Sequence, residues 1–87
     1  MGSGISHVFT DDTPQRITCR SPRGYPEPDV WWERDGKKVA DEGRVHQNGL
    51  SLVFNPILRE DSGTYSCVAQ NKAGTKRREL TITVASK

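Results

Sequence analysis

The feature that most constrains this chain is an apolar residue at every second position, repeated in several short segments. Ile17 and Cys19 share one side of such a segment, as do Val30 and Trp32. The same spacing recurs in three further groups: Leu50, Leu52 and Phe54; Tyr65, Cys67 and Ala69; Leu80, Ile82 and Val84. Because successive side chains of a β-strand point to opposite faces, this period predicts strands with one dry face and one wet face.

Turn-forming residues separate these segments at short intervals. Asp35-Gly36, Asn48-Gly49 and Asp61-Ser62-Gly63 are examples, and such residues favour tight turns. No window keeps the helical period of 3.6, since Pro or Gly interrupts nearly all of them. The chain is therefore predicted to be all-β, with two antiparallel sheets that bury their dry faces against each other in a sandwich.

Length and composition allow one small domain. The chain has 87 residues, of which 32% are hydrophobic, and a chain of this size buries only roughly 60–65% of its unfolded surface. We expect one domain at residues 5–85, an expression scar at residues 1–4 and a tail or linker at residues 86–87. Because no stretch approaches the roughly 18 apolar residues of a membrane span, no direct membrane insertion is expected.

Charge and motifs argue against several classes of function. A net charge of +2 is too small to indicate nucleic-acid binding. The sequence has no Ser–His–Asp set at plausible spacing, no glycine-rich phosphate loop and no HExxH-type motif, so neither an enzyme nor a cofactor is expected.

The cysteine count bears on metals and on stability. Cys19 and Cys67 are too few for a four-ligand zinc site, and His7 and His46 do not lie at ligand spacing beside them, so no metal site is expected. If the two cysteines form a disulfide, they close a loop of 67 − 19 = 48 residues. That loop closure would stabilise the fold by about 4 kcal/mol.

The stretch DSGTYSC, residues 61–67, combines several structural requirements. Tyr65 and Cys67 lie on one face and point into the predicted core. Tyr65 stands two residues before the second cysteine, where a tyrosine corner returns its hydroxyl to the backbone upstream. Gly63 fits a tight corner in which a Cβ would be unwelcome. Asp61 is expected to face solvent or to be buried with a cation.

These residues resemble the immunoglobulin superfamily, specifically its I-set class, from Ile5 to Val84. The resemblance is carried by Cys19, Trp32, Asp61-x-Gly63-x-Tyr65-x-Cys67, Tyr25-Pro26-Glu27-Pro28, Leu52-x-Phe54-x-x-Ile57 and Ala69-x-Asn71-x-x-Gly74. It implies a Greek-key sandwich with strands A, B, E and D in one sheet and C, F and G, with an optional A′, in the other.

The resemblance also implies specific contacts. Cys19 and Cys67 would form a disulfide between the sheets, with the Trp32 indole stacked on it. Arg44, at the start of strand D, would pair with Asp61. Together with Leu52 and Tyr65, these are the residues to which we assign structural roles.

Two surface features carry the binding hypotheses. If Trp32 points inward, Trp31 and Val68 point outward, and an exposed aromatic beside an aliphatic is typical of a protein interface. The alternative is that the Trp31 indole lies beneath a long charged neighbour such as Arg77 as a cation–π pair.

Four cations gather at the hairpin between strands F and G: Lys72, Lys76, Arg77 and Arg78. They could bind a sulfated glycan or an acidic protein by charge. The alternative is a solvated hairpin, since alternation sends Arg77 and Arg78 to opposite faces.

The resemblance implies a non-catalytic recognition or spacer module of an extracellular adhesion or receptor protein, at the cell surface. Its partners would be proteins or neighbouring domains, with weak homophilic association as one form. Two alternatives stay open: an intracellular module of a muscle or cytoskeletal protein, in the sarcomere or cytoskeleton, and a domain that binds heparan sulfate or a growth factor. The redox state of the cysteines also stays open.

Overall fold

A computed structural model describes residues 5–19, 28–41 and 43–86. Within these residues the chain forms eight strands and one short 3-10 helix at Arg59–Asp61. The strands are β1 (Ile5–Thr10), β2 (Thr13–Thr18), β3 (Asp29–Arg34), β4 (Lys37–Lys38), β5 (Val45–Asn48), β6 (Ser51–Ile57), β7 (Gly63–Asn71) and β8 (Gly74–Ala85). None of the described helices is long and apolar enough to cross a membrane.

The strands form two sheets of unequal size. One has five strands in the order β1-β8-β7-β3-β4, and the other has three in the order β2-β6-β5. All pairings are antiparallel except that of β1 with β8, which is parallel. This arrangement is the predicted all-β sandwich.

The core follows the alternation seen in the sequence. Inward residues of both sheets form one buried cluster, which includes Trp32, Leu52, Phe54, Tyr65 and Ile82. These are among the largest side chains that the fold buries almost completely. Since the dry faces of both sheets supply them, burial of this cluster is the main force that holds the sheets together.

A disulfide between Cys19 and Cys67 crosses from one side of this core to the other. Their Cα atoms lie 6.0 Å apart, and both residues are buried in the same cluster as Trp32. Cys67 is also the cross-strand partner of Trp32, and the Trp32 indole Nε1 donates a hydrogen bond to the carbonyl oxygen of Leu50, 3.2 Å away. The bridge therefore occupies the position that the resemblance implies, and Trp32 is buried in the same cluster.

The first strand does not lie where the resemblance places strand A, which is in the same sheet as strands B, E and D. Within the described residues, β1 pairs with β8 in the five-stranded sheet and no strand pairs with the outer side of β2. A turn at Asp11 and Asp12 separates β1 from β2, and Asp12 adopts a φ of +63°. This short turn connects β1 in the five-stranded sheet directly to β2 in the three-stranded sheet. Because β1 lies in the same sheet as strands C, F and G, it is the optional A′ strand.

Three parts of the sequence hypotheses lie outside the described residues. They are the expression scar at residues 1–4, the Tyr25-Pro26-Glu27 part of the motif that precedes β3, and Lys87 of the expected tail.

Candidate functional site

An ion pair closes one end of the sandwich beneath the 3-10 helix. Arg44 Nη1 donates to Asp61 Oδ2 at 2.8 Å, and Arg44 Nη2 donates to Asp61 Oδ1 at 3.2 Å. The Asp61 side chain is only 4% exposed and that of Arg44 is 25% exposed. Asp61 Oδ2 also accepts the backbone N–H of Leu58 at 2.7 Å. A buried carboxylate with these donors is a structural clamp, because its lone pairs are already engaged.

Tyr65 completes the same corner. Its hydroxyl donates to the backbone carbonyl oxygen of Asp61 at 2.7 Å, which is the geometry of a tyrosine corner. The ring packs edge-on against Phe54 with centroids 5.8 Å apart, and the guanidinium carbon of Arg34 lies 5.6 Å from the Tyr65 centroid. Burial raises the pKa of Tyr65 to about 12, so its phenol stays protonated at neutral pH and serves the fold.

Gly63, the first residue of β7, lies close to the side chain of Arg34. An ideal Cβ at Gly63 would lie 3.3 Å from Arg34 Nε. Arg34 Nη2 in turn donates to the carbonyl oxygen of Ser62 at 2.9 Å. The sequence predicts that a Cβ is unwelcome here, and the structure identifies the neighbouring guanidinium as the group that it would meet.

The outer face of the five-stranded sheet carries a cluster of four side chains on adjacent strands, three of which are joined by hydrogen bonds. We call Trp31, Glu33, Val68 and Arg77 the outer patch. Trp31, Val68 and Arg77 stand side by side on β3, β7 and β8. The indole Nε1 of Trp31 donates to Glu33 Oε2 at 3.0 Å, and Arg77 Nη1 donates to Glu33 Oε1 at 2.6 Å. One carboxylate therefore holds both long side chains over the sheet.

The expectation that Val68 is exposed is wrong. Val68 does lie on the outward side of β7, because its neighbour Cys67 points into the core, but it is 0% exposed. Its cross-strand partners Trp31 and Arg77 flank it on both sides, and Glu33 anchors both. Trp31 itself is half-buried, so the indole is a partly covered anchor that shields the aliphatic residue beside it.

Glu33 is the functional candidate that the sequence hypotheses missed. Its side chain is only 12% exposed. Hydrogen bonds from Trp31 first, and then from Arg77, hold the pKa of its carboxyl below the usual value. A signal for it existed, since Glu33 lies two residues after Trp31 and hence on the same face of the strand. The contact with Arg77, 44 positions away, became visible only in the fold.

The four cations of the predicted basic hairpin are divided between its turn and its two faces. Lys72 lies in the turn between β7 and β8, while Arg77 belongs to the outer patch. Lys76 and Arg78 are cross-strand partners of the inward-facing residues Ala69 and Cys67, yet both are exposed. The structure therefore brings Lys76 and Arg78 together on one face and separates them from Arg77.

No metal-binding cluster of three or more His, Cys, Asp or Glu residues occurs within the described ranges. Every buried side-chain nitrogen and oxygen atom in those ranges has a hydrogen-bond partner. The outer patch and the basic hairpin are therefore the two surfaces that carry the binding hypotheses.

Comparison with known proteins places this architecture among immunoglobulin-like domains. A model of the immunoglobulin domain family matches residues 3–71. Inactive tyrosine-protein kinase 7 of Gallus gallus is 49% identical over 79 residues, which are 91% of this chain and 8% of that protein. Roundabout homolog 3 of Homo sapiens is 42% identical over 64 residues, or 72% of this chain and 5% of that protein.

A solved structure agrees at the level of the fold. The N-terminal Ig1-2 module of the Drosophila receptor protein tyrosine phosphatase DLAR superposes with a TM-score of 0.85 at 26% identity, covering 94% of this chain and 42% of that chain. The present chain spans less than a tenth of the length of the two curated relatives named above.

Two packed sheets joined by a buried disulfide beside a tryptophan and closed by a tyrosine corner define an immunoglobulin-like β-sandwich. The sequence matches show that the similarity is one of family as well as of fold. The chain belongs to the immunoglobulin domain family, and its relatives include domains of receptor and adhesion proteins.

Proposed function

We propose that this chain is a non-catalytic recognition module of an extracellular receptor or adhesion protein. The observation that carries the proposal is the buried Cys19–Cys67 bridge, in a domain whose relatives include inactive tyrosine-protein kinase 7 and Roundabout homolog 3. A bridge of this kind persists in oxidising compartments and is rare in the cytosol. The similarity to the kinase-like protein involves 79 residues and brings no kinase chemistry with it.

The outer patch is the recognition surface of this module. Trp31 offers a large aromatic surface on one side of it, and hot spots of protein interfaces are enriched in Trp and Arg. Glu33 fixes the indole and the Arg77 guanidinium in place, so a partner would not have to order them on binding. Val68 supports the indole from below and makes no direct contact with the partner.

The compartment is tested by the state of the cysteines in native material. We expect the domain within its parent protein, isolated from cells without reducing agent, to weigh two hydrogens less than the reduced sequence. Free thiols at Cys19 and Cys67 in that material would overturn the extracellular assignment and favour the intracellular alternative.

Recognition is tested with fluorescent tetramers of the domain on a panel of intact cells. We expect staining that protease treatment of the cells abolishes and heparinase treatment leaves in place. Trp31→Ala should abolish the staining, while Thr81→Ala, an exposed substitution on the same outward face, should retain it.

The same panel separates the remaining partner classes. Staining lost with heparinase would point to a sulfated glycan and against a protein partner. Staining that disappears in cells lacking the parent protein would indicate homophilic association. Staining unaffected by Trp31→Ala would show that the outer patch is not the recognition surface.

A further inference from the structure

The second surface of interest is the backbone edge of β8 beside the basic hairpin. β8 runs for 12 residues, Gly74–Ala85, but β1 pairs with only its second half, from Leu80 to Ala85. Among the described residues, no strand pairs with Gly74–Glu79 on the side away from β7. We call this segment the open edge. An unpaired strand edge is a template for an added strand.

The direction of the backbone groups along the open edge follows from one hydrogen bond. The Asp11 N–H donates to the Ala85 carbonyl oxygen at 2.8 Å, so the backbone groups of Ala85 face β1. The register of β8 against β7 is continuous from Gly74 to Ile82, and backbone groups alternate in direction along a strand. Thr75, Arg77 and Glu79 therefore direct their N–H and C=O groups outward, while Lys76 and Arg78 direct theirs to β7.

The side chains of the open edge alternate between the two faces of the sheet, whereas the backbone groups alternate between the two edges of the strand. Lys76 and Arg78 project on one face of the open edge, and both are exposed. The ion pairs of the described residues involve Arg34, Arg44 and Arg77, and neither Lys76 nor Arg78. Arg77 projects on the opposite face, where Glu33 engages it. One face of the open edge thus carries two cations two residues apart, beside outward-facing backbone groups.

We propose that the open edge accepts an extended acidic segment of another protein as an added strand. The outward N–H and C=O groups of Thr75 and Arg77, together with the N–H of Glu79, would form the ladder. Acidic residues at every second position of the partner would pair with Lys76 and Arg78, since side chains repeat on one face with a period of two. This surface adjoins the outer patch at Arg77, whose backbone would join the ladder while its side chain stays paired with Glu33.

Charge alone would also attract a sulfated glycan, but the backbone geometry favours a peptide. A glycan has no repeating amide donors and acceptors with which to continue a β-ladder. Charged residues on an edge commonly prevent strands from adding to it. In this position the cations repel a basic strand and disfavour an apolar one, because burying an unpaired charge is costly, whereas they attract an acidic strand.

The proposal is tested by amide hydrogen exchange followed by NMR. The probe is a capped peptide that alternates Thr and Glu over seven residues. At saturation, we expect exchange at the amides of Thr75, Arg77 and Glu79 to slow by roughly tenfold or more, because each gains a hydrogen bond. The amides of Lys76 and Arg78 already face β7, and their exchange should not change.

Two controls separate the ladder from simple charge attraction. Two versions of the peptide, methylated on the backbone nitrogens of every Thr or of every Glu, keep its charge but each lose the donors of one edge, so one of the two should bind roughly tenfold more weakly or worse. The paired change Lys76→Glu and Arg78→Glu should abolish binding of the Thr–Glu peptide. The matched change Lys37→Glu and Lys38→Glu, on exposed β4, alters the net charge equally and should leave binding intact.

Three results would overturn the proposal. Binding of both methylated peptides as tight as that of the unmethylated peptide would show an ionic contact without a ladder. Absence of the odd-numbered protection pattern at saturation would show that no strand is added. Binding of a heparin hexasaccharide, without binding of the Thr–Glu peptide, would assign the cations to glycan recognition.

Discussion

The ion pair between Arg44 and Asp61 gives the sharpest test of the physical picture of this domain. Removing one partner of a buried pair costs about 3–5 kcal/mol, because the other charge is left uncompensated. The cost should differ between the two partners, since the Asp61 side chain is 4% exposed and that of Arg44 is 25% exposed.

The structure sets the expected size of each effect. Arg44→Met leaves a nearly buried carboxylate whose remaining donor shown here is the Leu58 N–H, so we expect a loss of about 4 kcal/mol in the free energy of unfolding. Asp61→Leu should cost about 3 kcal/mol, because Arg44 keeps its bond to the Pro56 carbonyl oxygen and reaches water. The total free energy of unfolding of a domain of this length is only roughly 4–13 kcal/mol.

Removing both partners should cost far less than the two single changes added together. The double variant Arg44→Met and Asp61→Leu carries no uncompensated charge, and we expect it to lose about 4 kcal/mol, mainly from the unpaired Leu58 N–H and altered packing. The implied coupling energy is about 3 kcal/mol, at the upper end for contacting residues.

Urea unfolding of the disulfide-bonded domain at neutral pH measures all three losses. Arg16→Met, on an exposed position of β2, is the matched control and should change stability by no more than about 0.5 kcal/mol. If the two single effects simply add in the double variant, or if each falls below about 1 kcal/mol as for a surface pair, the clamp does not act as described.

Three further predictions concern the core, the bridge and pH. Trp32→Ala should cost about 3–5 kcal/mol while Trp31→Ala costs about 1 kcal/mol, because it removes the hydrogen bond to Glu33 and uncovers Val68; calorimetry showing the opposite order would contradict the strand register. Replacing Cys19 and Cys67 by Ala should cost about 4 kcal/mol in urea unfolding, and an unchanged midpoint would mean that the bridge contributes little. Because the pKa of Glu33 is lowered in the fold, its contribution is present above its ordinary value of 4.5 and disappears as pH falls through the lower folded pKa. Glu33→Gln should reduce that acid dependence of the melting temperature, and an identical pH profile would argue against it.

The sandwich could be predicted because its information is local and repeated. Alternation along each strand marked residues such as Phe54 and Ile82 as inward-facing, and both are almost completely buried. The alternation does not predict which of the two sheets contains β1. Its apolar residues suit either sheet, and the choice depends on the turn at Asp11 and Asp12 and on the available edge of β8.

The outer patch shows where local reasoning fails. Alternation correctly gives the direction in which Val68 points, but exposure depends on what covers it. Trp31 lies 37 positions earlier in the chain and Arg77 nine positions later, and only strand pairing brings them together over Val68. An outward side chain is therefore not necessarily an exposed one.

The sequence by itself determined the fold class, the cysteine positions and the inward set of each strand. These follow from side-chain alternation and turn chemistry, which act between residues close in the chain. The tertiary structure alone decided which sheet receives β1, how Glu33 joins Trp31 to Arg77, and which part of the β8 edge has no partner among the described strands. Those features depend on register between distant strands, because hydrogen-bonded neighbours in a sheet need not be neighbours in sequence.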